Sequence, residues 1–123
     1  MESVNHISDV NFRSECPVCR TLDLVGDKWT LLIMRDALFL GGKTFADFAG
    51  GNEKIPTNLL SDRLKKLVSA GLLRKHQYHD KPPRYEYLPT PLADELKPLL
   101  EAMRAFGENH LEGRIPDELL SQL

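Results

Sequence analysis

Apolar residues recur every three or four positions along much of this chain, the spacing that places side chains on one face of an α-helix. The first such segment begins at Pro17 and ends at Gly26, a residue type common just past helix ends. The second is capped by Asp27 and ends at the glycine pair 41–42, where a turn is expected. The pattern predicts two helices, with apolar positions Val18, Leu22, Val25, Trp29, Leu32, Ile33, Ala37 and Leu40.

Two shorter helices are predicted next, separated by a glycine-bearing turn at 50–52. Thr44 is placed to cap the first of them, with Asp47 three residues later completing a weaker version of a capping box. Pro56 suits the first turn of the second, because its missing N–H would have no partner there. The inward-facing residues would be Phe45, Phe48, Leu60, Leu64 and Leu67. Two helices joined by a short turn predict a helix-turn-helix.

Strand-forming residues then replace the helical period over 72–78 and 84–88. The prolines at 82–83 cannot continue a strand ladder, so these runs predict a hairpin with a stiff tip. Thr90 caps a long amphipathic helix, which Pro98 should bend. Its apolar face is larger than a small core needs, so part of it is expected to meet a second copy of the chain. That face consists of Leu92, Leu96, Leu99, Met103, Phe106 and His110.

The predicted fold class is α+β and mainly α, a winged helix-turn-helix with a two-stranded wing and a long C-terminal dimerisation helix. We expect one domain over 16–111, including the dimerisation helix, because 123 residues are too few for a catalytic and a binding domain. Residues 1–15 lack apolar periodicity and are expected to form a flexible N-terminal arm, and residues 112–123 a C-terminal tail.

Charge is distributed unevenly along the chain. Residues 54–87 carry eight lysines or arginines and three acidic residues, a net charge of +5, while the whole chain carries −2 and the remainder therefore −7. A basic unit in an acidic chain is typical of polyanion binding, with DNA the first candidate. The 41% hydrophobic and 28% charged content excludes a disordered chain and a membrane protein. The polar segment 1–12 shows no signal peptide, so we expect a cytoplasmic protein.

Six short runs of sequence occur in a specific order and spacing: 16–18, 26–33, 58–64, 70–72, 82–87 and 88–92. As a set they resemble the HxlR-type winged helix-turn-helix transcription regulators of bacteria and archaea, over roughly 16–107. The resemblance implies a dimer whose terminal helices pair and whose recognition helices enter adjacent major grooves, and it implies no enzyme activity. Pro56 departs from the family, where alanine or serine is usual.

The exposed face of the predicted recognition helix carries side chains suited to base edges, because asparagine can pair with adenine, lysine with guanine and the threonine methyl with thymine. The residues of that exposed face, here the reading face, are Thr57, Asn58, Ser61 and Lys65. Lys43, with the helix start at Thr44, could hold phosphate through exposed N–H groups, and Arg63 could flank the reading face. Lys81 and Arg84 bracket the wing prolines and could reach a minor groove. The predicted DNA-binding residues are Lys43, Thr44, Thr57, Asn58, Ser61, Arg63, Lys65, Lys81 and Arg84.

Each of these assignments has a simpler alternative. The reading face could be a solvated helix surface, Lys43 a plain surface lysine, and Arg84 a partner of Glu86 that only shapes the hairpin. Asp62 would be repelled by phosphate, and we expect it to pair with Lys65 or Lys66 one turn on. The turn, the wing and the charge distribution together favour DNA binding.

Cys16 and Cys19 have the spacing of half a zinc site and of a redox dithiol. The sequence offers no second cysteine pair and no histidine pair at standard spacing, so we expect no metal and no cofactor. A helix start favours a thiolate. Some members of the family are known as redox or electrophile sensors through a cysteine at the position of Cys16, so the resemblance implies that role. Two unreactive cysteines packed near a dimer interface are nevertheless the interpretation that the sequence favours.

The preferred function is a homodimeric, sequence-specific regulator that binds a palindromic operator in double-stranded DNA. We expect a repressor responsive to a small-molecule effector or an oxidant, with no membrane partner and with Leu96, Leu99, Met103 and Phe106 in the dimer interface. One alternative is a small thiol-disulfide redox protein using Cys16 and Cys19, disfavoured because such motifs normally follow a strand. Another is a winged-helix protein-interaction module, which the positive charge argues against.

Overall fold

A computed structural model describes residues 11–111, so residues 1–10 of the arm predicted at 1–15 and the whole tail predicted at 112–123 lie outside the described residues. The elements in chain order are α1 Pro17–Val25, α2 Thr30–Phe39, α3 Phe45–Ala49, α4 Thr57–Ser69, β1 Leu73–His79, β2 Arg84–Pro89, α5 Pro91–Asp94 and α6 Lys97–His110. The two strands form one antiparallel sheet. This confirms the predicted fold class, a mainly helical α+β winged helix-turn-helix.

The core lies between α2, α4 and the base of the wing. The apolar stripe predicted for α4 is confirmed, since Leu60, Leu64 and Leu67 are all buried. Met34 of α2 is completely buried although the predicted apolar face did not include it. Phe45 was predicted to point inward and is 38% exposed, because the short α3 presents only its other phenylalanine to the core.

The predicted capping box at the start of α3 is confirmed. The Thr44 hydroxyl accepts from the N–H of Asp47 at 3.1 Å, and the Asp47 carboxylate accepts from the N–H of Thr44 at 3.0 Å. These two bonds satisfy N–H groups that a helix start leaves without intrahelical partners. They fix the position of the short helix ahead of the turn that leads into α4.

The wing is an antiparallel hairpin attached to the helices at its base. Its register pairs Leu73 with Pro89. The N–H of Tyr87 donates to the carbonyl of Lys43 at 2.6 Å, which ties β2 to the segment before α3. At the end of α4 the chain turns at Gly71 with a φ of 81°, a left-handed conformation that favours glycine. The wing therefore has a defined orientation relative to α4.

The long C-terminal helix predicted from Thr90 onward is two helices, α5 and α6. Helix α5 stops at Asp94, and Pro98 lies in the first turn of α6, where its missing N–H leaves no bond unmade. Leu96 and Leu100 pack against the core. The row containing Met103 and Phe106 lies beside them and faces solvent.

Candidate nucleic-acid interface

Helix α4 presents an exposed polar face on the side opposite its buried leucines. The four predicted base-reading residues Thr57, Asn58, Ser61 and Lys65 are all exposed. None of these four side chains forms a hydrogen bond or an ion pair with another residue in the described range 11–111. Because the core fixes the opposite face, these side chains are held outward together and remain free to contact a partner.

The chain enters α4 through a short, constrained turn. Lys54 adopts a φ of 57°, and the following Ile55 is buried and anchors the turn to the core. Pro56 is the N-cap residue of α4, and no side chain caps this helix. The N–H groups of the first turn of α4 therefore lack a side-chain partner, as expected when proline replaces a capping serine.

Arg63 points from α4 towards the turn between α1 and α2. Its Nε donates to Oδ1 of Asp27 at 3.1 Å, and its Nη1 donates to Asp62. Asp62 also pairs with Lys66 at 3.4 Å, one of the two partners predicted for it. A phosphate contact by Arg63 remains a prediction, and these ion pairs weigh against it because two carboxylates already bind the guanidinium.

Asp27 remains ionised because it collects several hydrogen bonds. Burial by itself would raise the pKa of Asp27, but donation from the hydroxyl and N–H of Thr30, the N–H of Trp29 and the Arg63 guanidinium lowers that pKa to about 2. The same carboxylate caps the start of α2, although the helix begins at Thr30 rather than directly after Asp27. The ion pair with Arg63 therefore persists at neutral pH.

The start of α3 is less suited to phosphate than the sequence predicts. The N–H groups of Lys43 and Thr44 both donate to Asp47 at 3.0 Å, so they are occupied rather than exposed. The hydrogen bonds from Thr44 and Lys43 lower the pKa of Asp47, and its carboxylate would repel an anion. A phosphate contact at Thr44 remains a prediction, and the occupied N–H groups of Lys43 and Thr44 weigh against it. The side chain of Lys43 stays available for such a contact.

The wing presents two cations at its tip. Lys81 and Arg84 are exposed and form no ion pair within residues 11–111. Glu86, the alternative partner predicted for Arg84, lies 3.2 Å from Nδ1 of His76 instead. Elsewhere on the hairpin the Lys75 ammonium lies 4.4 Å from the centroid of the Tyr85 ring. No local pattern in the sequence indicates that cation–π contact, because it joins residues on opposite strands.

The two cysteines occupy different environments. Cys16 is exposed at the N-cap of α1, whereas Cys19 is partly buried with its sulfur 3.9 Å from the carboxylate of Asp23. Both are free thiols. Within residues 11–111 no cluster of three histidine, cysteine or acidic side chains could hold a metal ion. Cys16 is therefore the more accessible of the two thiols.

Two helices expose apolar rows. On α6, Met103 and Phe106 are 49% and 60% exposed, and on α1, Val18 and Leu22 are 68% and 55% exposed. Val18 and Leu22 were predicted to be helix-face residues, and the core reaches only the end of α1. Of the predicted dimer residues, Leu96 packs partly on the core of this chain and Leu99 is half-buried. Met103 and Phe106 are the members of the predicted interface that remain most open.

Comparison with known proteins identifies relatives of one kind. The sequence profile of the HxlR-like helix-turn-helix family matches residues 24–114. The chain is 39% identical over 106 residues to the uncharacterized HTH-type transcriptional regulator Rv3095 of Mycobacterium tuberculosis, covering 85% of this chain and 66% of that protein. It therefore spans slightly less than two thirds of that relative. It is 33% identical to the uncharacterized HTH-type transcriptional regulator YdeP of Bacillus subtilis, covering 77% of this chain and 73% of that protein.

A solved structure with a similar fold is that of the redox regulator HypR in its oxidized form. The two chains superpose with a TM-score of 0.68 at 31% identity, covering 80% of this chain and 100% of HypR. None of the helices within residues 11–111 is long and apolar enough to cross a membrane. These relatives are named as regulators of transcription or redox regulators, and none of the three is named as an enzyme.

Proposed function

The chain belongs to the HxlR-like helix-turn-helix family, and from this premise we propose that it is a sequence-specific, DNA-binding transcription regulator. The observation that carries the proposal is the reading face of α4, where Thr57, Asn58, Ser61 and Lys65 are exposed and unpaired within the described chain. That face lies in the segment 54–87, which has a net charge of +5 in a chain of net charge −2. A rigid polar helix face in a basic unit suits a DNA major groove.

The wing extends this proposed contact. Lys81 and Arg84 at the hairpin tip would lie along the backbone or in a neighbouring minor groove, where negative potential favours a cation. Lys43 is joined to the wing through the hydrogen bond between its carbonyl and Tyr87. Its side chain would contact phosphate beside the same groove.

We further propose a homodimer on a palindromic operator. The apolar rows on α1 and α6 support it, because large exposed apolar side chains in neighbouring turns of a helix are typical of association surfaces. A two-fold dimer would place two copies of α4 on two half-sites of matching symmetry.

The regulator would act as a repressor that responds to an oxidant or a small molecule. Two observations support the oxidant: HypR is a redox regulator of similar fold, and Cys16 is an exposed thiol at a helix start. Such a chain needs no catalytic centre. The thiol-disulfide enzyme considered from the sequence is less well supported, since Cys16 follows an irregular segment and not a strand.

Selection of genomic fragments by the purified chain, followed by sequencing, tests the proposed function. We expect enrichment of a short palindromic sequence, and gel shifts of that sequence that weaken with added salt. Random duplex DNA should bind more weakly but with similar sensitivity to salt. A protein-interaction module would enrich no sequence and shift no duplex, and that result would overturn the proposal.

Replacing Asn58 with alanine should flatten sequence preference at one base pair per half-site. A bidentate side-chain contact to a base is worth about 1–3 kcal/mol of discrimination, so the variant should tolerate all four bases there. Affinity for random duplex should change little, because Asn58 carries no charge. Ser69→Ala, at the far end of the same helix, is the matched control. Unchanged preference at every position in Asn58→Ala would remove Asn58 from the reading face.

Mild peroxide should change operator affinity through Cys16. Peroxide oxidises the thiolate to a sulfenic acid, which condenses with a second thiol to give a disulfide and water. We expect wild type to respond and Cys16→Ser to keep its untreated affinity, with thiol counting alongside. Cys19→Ser distinguishes a bridge to Cys19 from one between subunits. If the wild type has the same operator affinity before and after peroxide treatment, both cysteines are packing residues and neither senses the oxidant.

A further inference from the structure

Two ion-pair clusters connect α4 and the turn before it to α2, one on either side of the helix start. The first, here the helix clamp, is Asp27 with Arg63; the second, here the turn clamp, is Arg35 with Asp36 and Glu53. We propose that these clamps set the orientation in which α4 meets DNA, so that Asp27 and Glu53 are positioning residues for sequence recognition. This inference rests on the proposed DNA-binding function.

The helix clamp joins the start of α2 to the middle of α4. One oxygen of Asp27, Oδ1, accepts from the N–H groups of Trp29 and Thr30 at 2.9 and 3.0 Å and from Nε of Arg63 at 3.1 Å. Thr30 is 3% exposed, so this end of α2 is fixed in the core. Rotation of α4 about its axis would move Arg63 relative to a carboxylate that the N–H groups at the start of α2 hold in place.

The turn clamp holds the chain just before α4 begins. Arg35 donates two parallel hydrogen bonds to Glu53, at 3.0 and 2.9 Å, and two more to Oδ1 of Asp36, at 2.9 and 2.8 Å. The Glu53 hydrogen bond raises the pKa of Arg35 above its usual value, and the Arg35 hydrogen bond lowers that of Glu53. Bidentate pairs of this kind restrict geometry as well as adding energy. Glu53 directly precedes Lys54, whose φ of 57° starts the path into the helix.

The buried leucines of α4 cannot set its orientation alone. Burial of Leu60, Leu64 and Leu67 is favourable over a range of small rotations, because the hydrophobic effect is not directional. Hydrogen-bonded ion pairs are directional, and the two clamps act at different points along α4 and the turn leading into it. Together they restrict the rotation of α4. That rotation decides whether Asn58 and its neighbours point at base edges.

Charge and positioning predict different effects on selectivity when the acids are neutralised. Asp27→Asn and Glu53→Gln each remove a negative charge and free an arginine, so electrostatics alone would strengthen binding to any DNA. The clamps predict weaker selectivity instead. Asparagine caps helices about as well as aspartate, so Asp27→Asn keeps the hydrogen bonds at the start of α2 and removes the charge that holds Arg63.

The decisive measurement is the ratio of operator affinity to random-duplex affinity, with the operator taken from the genomic selection. We expect this ratio to fall about tenfold in Asp27→Asn and in Glu53→Gln, equivalent to about one base contact in the whole operator, with random-duplex affinity equal or higher. Asp94→Asn is the matched control, because it breaks the exposed pair between Asp94 and Lys97 with the same change in charge. Its ratio should stay at the wild-type value.

An unchanged ratio in both clamp variants, or an equal fall in Asp94→Asn, would overturn the inference. Residual dipolar couplings of the α4 amides relative to those of α2 give a second readout that needs no DNA: the clamps predict a reoriented α4 in the variants, and identical couplings contradict them. If one variant fails to fold, the other and Arg63→Lys carry the same test. Failure of wild type to prefer any sequence would instead contradict the proposed function.

Discussion

Replacing Met103 and Phe106 together with glutamate is expected to yield monomers whose operator affinity is about 10²-fold to 10⁴-fold lower, the range by which linked binding events exceed single ones. Both side chains are about half exposed or more and make no large contribution to the core of their own protomer. Two glutamates per protomer on opposed helices would bury like charges against each other, which prevents association. Monomers would keep a single α4 and bind one half-site.

Sedimentation velocity and gel shifts measure the two effects on the same samples. Ala105→Glu combined with Lys97→Gln is the matched control, because it changes the net charge of α6 by the same amount outside the Met103 and Phe106 row. The control should remain dimeric with nearly unchanged selectivity. A Met103 and Phe106 variant that still sediments as a dimer would place the interface elsewhere, first on the exposed row of α1, where Val18 and Leu22 provide the next variants.

Elements with local signals were predictable from the sequence. The capping box at Thr44 depends on residues three apart, and the stripe from Leu60 to Leu67 depends on a helical period, so both follow from short windows. The exposed face of α4 follows from that stripe, since a fixed buried side determines the side that faces solvent. Its DNA contacts remain predictions.

Contacts between distant residues were not predictable from such windows. Arg63 lies on the edge of α4 by periodicity, yet its partner Asp27 is 36 residues earlier and enters only through the tertiary fold. Glu53 and Arg35 are likewise 18 residues apart. Periodicity also continues through Pro98 without interruption, so the sequence predicts one helix where the structure has α5 and α6. It likewise does not show that Leu96 packs partly against the core. These differences arise because a residue's partner, unlike its helical phase, is a property of packing.

Operator affinity should fall steeply with salt, about 10³-fold to 10⁵-fold between roughly 50 and 200 mM, as condensed counterions are released from neutralised phosphates. Four predicted contact cations are free of ion pairs within the described chain: Lys43, Lys65, Lys81 and Arg84. A dimer would present eight, which gives a slope of about −7 for the logarithm of affinity against the logarithm of salt concentration. Fluorescence anisotropy over a salt series measures this slope.

Variants separate the cations that contact DNA from those that hold the fold. Each lost phosphate contact should lower the slope by about one, so Lys81→Gln with Arg84→Gln should flatten it by about four in the dimer. Arg63→Gln should leave the slope unchanged, because Asp27 and Asp62 already neutralise its guanidinium. A slope that flattens by about two in Arg63→Gln would return Arg63 to the phosphate-binding set and weaken its role in the helix clamp. A wing variant with the wild-type slope would mean that the hairpin tip lies away from the duplex, leaving α4 and Lys43 to make the contact.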